Sequence, residues 1–274
     1  MKLFITADME GITGLTDYSF VRQGELNYLR GREIMTDDVN HVIESAYAAG
    51  AQEIVVNDSH GKMHNLLIER IHPDVRLITG NVKPLSMVQG LDSSYDAALF
   101  VGYHSSAAKK GIMSHTMTNF THQVYIDDAP VGEIGLNAYV AGYYGVPVIL
   151  VTGDDQAAQE AEELIPGITT AVVKEQITRS TAICLTPQKS GELLRRQTSE
   201  ALQNRSRVKP LVPADKPLLR VHFNSNGHAE WANLIPGTEI EGNTPVVRYQ
   251  AKDMLDAYKT FMAMVNLAKH TTYS

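Results

Sequence analysis

Cys184 is the only cysteine in the chain, so no intramolecular disulfide can form and the fold must rest on its core. In the apolar context TAICLTP this thiol reads as a buried structural residue rather than a nucleophile. No apolar run approaches the roughly 20 residues that span a bilayer. The N-terminal MKLFITADMEG turns polar at Asp8, too early for a signal-peptide core, and no small-x-small cleavage site follows. These absences point to a cytoplasmic protein with no membrane partner. Positive charge is also in deficit: Lys and Arg total 24 against 31 acidic residues, a formal net charge of −7, which argues against nucleic acid as a partner. Low-complexity tracts and internal repeats are lacking, and 43% of the 274 residues are hydrophobic, enough for one large core or for one large and one small.

What is present is an alternation of short apolar strands and amphipathic helices. Strands are expected at 3–7, 53–57, 76–78, 97–103 and 148–152, and helices at 27–49 (with a possible break at Thr36), 65–71 and 133–144. Runs such as FIT, IVV and VILV scarcely alternate, which is how strands buried on both faces read. The fold class expected is α/β, a mostly parallel sheet with helices on both faces, plus a smaller α+β C-terminal lobe. That lobe would hold a helix at 188–204, strands at 218–223 and 246–249 and a closing helix at 252–269. The division expected is a catalytic unit over 1–170 and the lobe over 171–274.

Polar residues gather just past the C-terminal ends of the strands: Asp8-Met9-Glu10-Gly11, Asn57-Asp58-Ser59-His60-Gly61, His104 and Gly153-Asp154-Asp155. Parallel strands bring such ends to one edge, where open α/β sheets bind ligands. Asp8 and Glu10 would point the same way if the chain stays extended, and two such carboxylates repel unless a proton or cation lies between them. Imidazoles from His60 and His104 would complete a mixed nitrogen and oxygen set suited to zinc, and also to manganese, cobalt or nickel. Each residue alone has a plainer explanation, Asp8 as a cap, His60 as a loop histidine, Glu133 as a favourable charge at a helix start. Their convergence is what points to a metal.

Several long segments in order, among them ADMEGITGL, VNDSHGKMHNL, FVGYHS, IMSHTM and PVGEIGLNAYVAGYYGVPV, resemble the zinc D-aminopeptidase family. Thr6 stands where the family's S-x-D-x-E-G signature has serine, and it keeps the hydroxyl. The resemblance implies two zinc ions per subunit, with Asp8 bridging, Glu10 and His104 on one ion, and His60 and Glu133 on the other. It implies His115 of MSHTM as the catalytic residue, in the family's proposal a nucleophile. On chemical grounds a general acid/base or oxyanion donor is preferred, since imidazole attack on an amide gives a very reactive acyl-imidazole. It further implies short peptides or amides with an N-terminal D-residue as substrates, and self-association into a ring-shaped homodecamer. The alternatives are another metal-dependent amidase or phosphoesterase on this scaffold, and a non-catalytic metal- or peptide-binding protein. No Walker-type glycine loop supports a phosphate substrate.

Overall fold

A computed structural model describes residues 1–271. In chain order its elements are β1 (Lys2–Ala7), α1 (Tyr18–Val21), α2 (Tyr28–Ala48), β2 (Glu53–Asp58), β3 (Arg76–Ile78), β4 (Ala97–Tyr103), β5 (Thr121–Ile126), β6 (Ala129–Val131) and α3 (Glu133–Tyr143). There follow β7 (Val148–Asp154), α4 (Asp155–Leu164), β8 (Thr169–Thr178), β9 (Thr181–Cys184), α5 (Pro187–Asn204), β10 (Leu218–Phe223), α6 (Asn226–Ala232), β11 (Thr238–Ile240), β12 (Val246–Gln250) and α7 (Met254–Ala268).

The main sheet has the order β3-β2-β1-β4-β7-β8-β9 and is parallel except for β9. Every residue of β4 and β7 is buried, because helices cover both faces: α2 and α5 pack together on one, α3 and α4 on the other. This is the mostly parallel α/β architecture that the non-alternating apolar runs predict. A second, antiparallel sheet of order β11-β12-β10-β5-β6 carries α6 and α7. It draws β5 and β6 from before residue 170 and the rest from after it, while β8, β9 and α5 pack with the main sheet. Leu99 and Val151 of the main sheet and Val221 of the second belong to one continuous apolar core.

The strand order reverses between β1 and β4: the chain runs outward to β2 and β3 from one side of β1, then returns on the other. The crevice at that reversal is where an α/β sheet offers room for a ligand.

Three local expectations are corrected. Residues 65–71 form bends and turns, not a helix, and the Asp58 carboxylate ties their start to the end of β2, accepting from the backbone N–H groups of Asn65 and Leu66 and from the Asn65 side chain. Helix α2 runs unbroken through Thr36, whose hydroxyl donates back to the Arg32 carbonyl. Cys184 is exposed, not buried, since β9 is the edge strand of its sheet.

Candidate metal centre

Asp8 follows β1 directly, and its N–H continues the ladder to the Val101 carbonyl of β4. The next turn lies across the end of β4, where Gly11 N–H donates to the Gly102 carbonyl at 2.8 Å. A Cβ on Gly11 would stand 2.0 Å from the Tyr103 carbonyl oxygen, so only glycine allows this approach. The same turn is held from below by Lys174 of β8, fully buried, whose Nζ donates to the carbonyls of Glu10, Ile12 and Leu15 at 2.5–2.9 Å. Thr13 N–H donates to the Asp38 carboxylate of α2, and the Thr13 hydroxyl bonds that of Ser190 on α5.

The five expected ligand residues meet at this point. His60 Nδ1 lies 3.2 Å from Asp8 Oδ1 and 2.9 Å from Glu10 Oε2. His104 Nε2 lies 3.4 Å from Asp8 Oδ2 and 3.5 Å from Glu133 Oε1. Asp8 thus turns one carboxylate oxygen toward each imidazole. Asp8, Glu10 and His104 bring ligand atoms within 4.8 Å of one another, and so do His104, His115 and Glu133. The glutamates are not cleanly divided between the histidines: Glu10 touches His60 as well as clustering with His104.

Backbone carbonyls set each imidazole. His60 Nε2 bonds the Val21 carbonyl, His104 Nδ1 that of Ser105 and His115 Nδ1 that of Met113. A carbonyl only accepts, so those nitrogens carry the proton, and Nδ1 of His60 and Nε2 of His104 and of His115 face the cluster. Glu133 opens α3 and accepts from the Met117 N–H at 2.6 Å, tying the helix to the His115 loop. Met113 and Met117, on either side of His115, both have left-handed φ, 52° and 59°.

The electrostatics favour a cation. Asp8, Glu10 and Glu133 are each no more than 3% exposed. Burial and the adjacent Glu10 push the Asp8 carboxyl up to about 7. Burial opposes charge on His60 and His104, yet Glu10 and Glu133 respectively hold these imidazoles well above the ordinary range. Burial and the neighbouring His104 hold His115 below it. Asp8 Oδ2 and His104 Nε2 are buried and make no hydrogen bond, which is rare for such groups without a bound ion or water. Their chemistry, carboxylate with imidazole, fits zinc.

Two cavities flank His115. One of about 550 Å³ is lined by Glu10, His60, Tyr18 and Tyr28, among others, and a smaller one of about 210 Å³ by Ser114, His122, Arg179 and Asn224. Lys174 and Arg179 escaped the sequence reading. Lys174 follows the apolar run TTAVV inside β8, the one hint of a buried charge, whereas nothing in the local sequence marks Arg179.

The family model for D-aminopeptidases, peptidase family M55, matches residues 1–263. The D-aminopeptidase of Bacillus subtilis (strain 168) is 55% identical over 273 residues, covering 100% of each chain. The solved structure described as the Zn-dependent D-aminopeptidase DppA from Bacillus subtilis, a self-compartmentalizing protease, superposes with a TM-score of 0.99, again at 55% identity and over 100% of both chains.

Proposed function

The chain belongs to the M55 D-aminopeptidase family and is a peptidase hydrolase, and from that premise we propose that it is zinc-dependent and holds two ions per subunit through Asp8, Glu10, His60, His104 and Glu133. Its proposed substrates are short peptides or amides with an N-terminal D-residue. The observation that carries this reading is the pair of buried ligand atoms without hydrogen bonds, Asp8 Oδ2 and His104 Nε2, at the strand-order reversal. Paired zinc ions would supply Lewis acidity toward the scissile carbonyl and lower the pKa of water there.

The chain's own part falls to His115. It is neutral near pH 7, and with its proton on Nδ1 toward Met113 the lone pair sits on Nε2, 3.7 Å from Glu133 and at the junction of the two cavities. Nε2 accepts a proton from the attacking water and returns it to the leaving amine, as a general base and then acid. If His115 were instead the nucleophile, rapid quench would trap an acyl group on it, an outcome that overturns this assignment.

Elemental analysis beside a panel of D- and L-alanyl p-nitroanilides tests the reading. Two zinc ions per chain and faster turnover of the D form are expected. A fully active, metal-free His60→Ala variant, or faster turnover of the L form, would refute it.

Assembly into a ring-shaped homo-oligomer, a decamer by the family resemblance, belongs to the same proposal. It is supported by the self-compartmentalizing relative and by Ile177 and Ile183, 59% and 62% exposed on the β8–β9 edge hairpin. Light scattering on the purified protein is expected to give ten chains. The proposed compartment is the cytoplasm, in keeping with the free, exposed thiol of Cys184. No helix among the described residues is long and apolar enough to cross a membrane.

A further inference from the structure

Each segment that carries one of the ligand residues also sends a polar side chain into a single buried network. Thr6 lies two residues before Asp8, Ser59 directly before His60, Tyr103 directly before His104, and Asn137 one helical turn after Glu133 on α3. All four are at most 4% exposed, and so is Tyr258 of α7, which joins them. Thr6 Oγ1 is the hub, 2.5 Å from Ser59 Oγ, 2.7 Å from the Met87 carbonyl and 3.0 Å from the Tyr103 hydroxyl. Asn137 Nδ2 donates to the Tyr103 hydroxyl at 2.9 Å, and the Tyr258 hydroxyl donates to Asn137 Oδ1 at 2.9 Å.

The direction of each bond follows from what its atoms can do. An amide nitrogen only donates, so Tyr103 accepts from Asn137 and turns its own proton to Thr6. A carbonyl only accepts, so Thr6 donates to Met87 and accepts from Ser59 and Tyr103, which fills its bonding positions. The bonds thus run one way from Tyr258 through Asn137, Tyr103 and Thr6 to Met87, and bonds aligned in this way polarise and strengthen one another. They join residues 34 to 121 positions apart in the chain. Apolar packing between strand ends and a helix permits small slips, whereas directional bonds in a dry interior do not. We propose that Thr6, Tyr103, Asn137 and Tyr258 are positioning residues of the zinc site, fixing where the ends of β1, β2 and β4 stand against the start of α3 and so how well Asp8, His60, His104 and Glu133 fit the metal. This rests on the zinc-binding reading above, and the four act through the ligands rather than on substrate.

The test is zinc affinity of the full chain, measured by competition with a chelator of known affinity, in wild type, Thr6→Val, Thr6→Ser, Tyr258→Phe and Val221→Ala. Thr6→Val removes the central hydroxyl and is expected to weaken at least one zinc by about tenfold to a hundredfold, the range for groups that orient metal ligands. Tyr258→Phe keeps the ring and removes only the far donor, for an expected loss of about twofold to tenfold. Thr6→Ser keeps the hydroxyl and is expected to bind zinc as wild type does. Val221→Ala opens a cavity in β10, which pairs with β5 and β12 away from the network, and is expected to lower stability without moving zinc affinity. Wild-type affinity in Tyr258→Phe or in a folded Thr6→Val would overturn the proposal. So would an equal loss in Val221→Ala, since any loosening of the core would then weaken the site. Should Thr6→Val not fold, Tyr258→Phe decides. Thermal melting of the chelated proteins reads the network apart from the metal. The double variant Thr6→Val, Tyr258→Phe is expected to lose less Tm than the two single variants together, as members of one network do, and additive losses would overturn the proposal. A wild type that takes up no zinc, with coupled melting losses, would sink the zinc-binding reading and leave the network standing.

Discussion

The imidazoles of His104 and His115 lie ring on ring, with centroids 4.2 Å apart and planes 13° from parallel. Each is oriented by a carbonyl one or two residues away, and each aims Nε2 at the same oxygen of Glu133. Two rings so close cannot both carry charge cheaply, so the partner nearer the carboxylates, His104, takes the positive environment and His115 stays neutral. The stack thus sets His104, the proposed ligand, beside His115, the proposed proton carrier.

It follows that His115→Ala should retain two zinc ions and its folded structure while kcat falls by about 10²–10⁴, the range for loss of a positioned acid/base. Metal analysis and steady-state kinetics on one preparation check this. Loss of one ion would make His115 a ligand in the group it forms with His104 and Glu133.

Three carboxylates buried within a few ångströms repel one another, and bound cations relieve that repulsion. Zinc at about a hundred times its Kd should therefore raise Tm over the chelated protein by about 5–10 °C. Differential scanning fluorimetry with and without EDTA measures it. Equal melting temperatures would mean that the cluster tolerates its own charge.

Lys174 holds three carbonyls of the turn that presents Asp8 and Glu10. Lys174→Met would leave them buried and unsatisfied, at a cost of about 3 kcal/mol or more. Zinc affinity is expected to fall with it, because the ligand turn loses its anchor. Chemical denaturation and a zinc titration give the two readings, and an unchanged zinc affinity would show that the turn holds its shape without the ammonium.

Asp38 supplies a pH dependence away from the ligands. Burial raises its carboxyl to about 6, against the hydrogen bonds from Thr13. The folded state therefore binds more protons than the unfolded state between about pH 4 and 6, and the stability from this group is lost as pH rises through that window. Asp38→Asn should be more stable than wild type at pH 8 by on the order of 2–3 kcal/mol, with the difference vanishing below about pH 4. Denaturant midpoints at the two pH values check the sign.

Strand positions were legible because a strand buried on both faces must be apolar along its whole length. The predicted 76–78, 97–103 and 218–223 match β3, β4 and β10 residue for residue. Positions 65–71 misled, since the contact that fixes their start comes from Asp58 at the end of β2, which accepts from the Asn65 and Leu66 N–H groups and is not visible in the local apolar pattern. Cys184 misled for a related reason: a strand's apolar character does not reveal whether a neighbour covers it. The ligand candidates were legible from their places after strand ends, which parallel topology makes neighbours.

By itself, then, the sequence determined the parallel α/β class, the edge of the sheet where chemistry gathers, and the residue types able to hold a metal. All three follow from local pattern, from apolar runs and the polar residues that end them. Only the tertiary structure decided which nitrogen of His60, His104 and His115 faces the cluster, that Lys174 and Asp38 brace the ligand turn, and that Arg179 borders the cavity beside His115. These depend on contacts between segments as much as 164 residues apart, such as Lys174 and Glu10, and distance in space between such segments is set by packing, which no stretch of chain encodes alone.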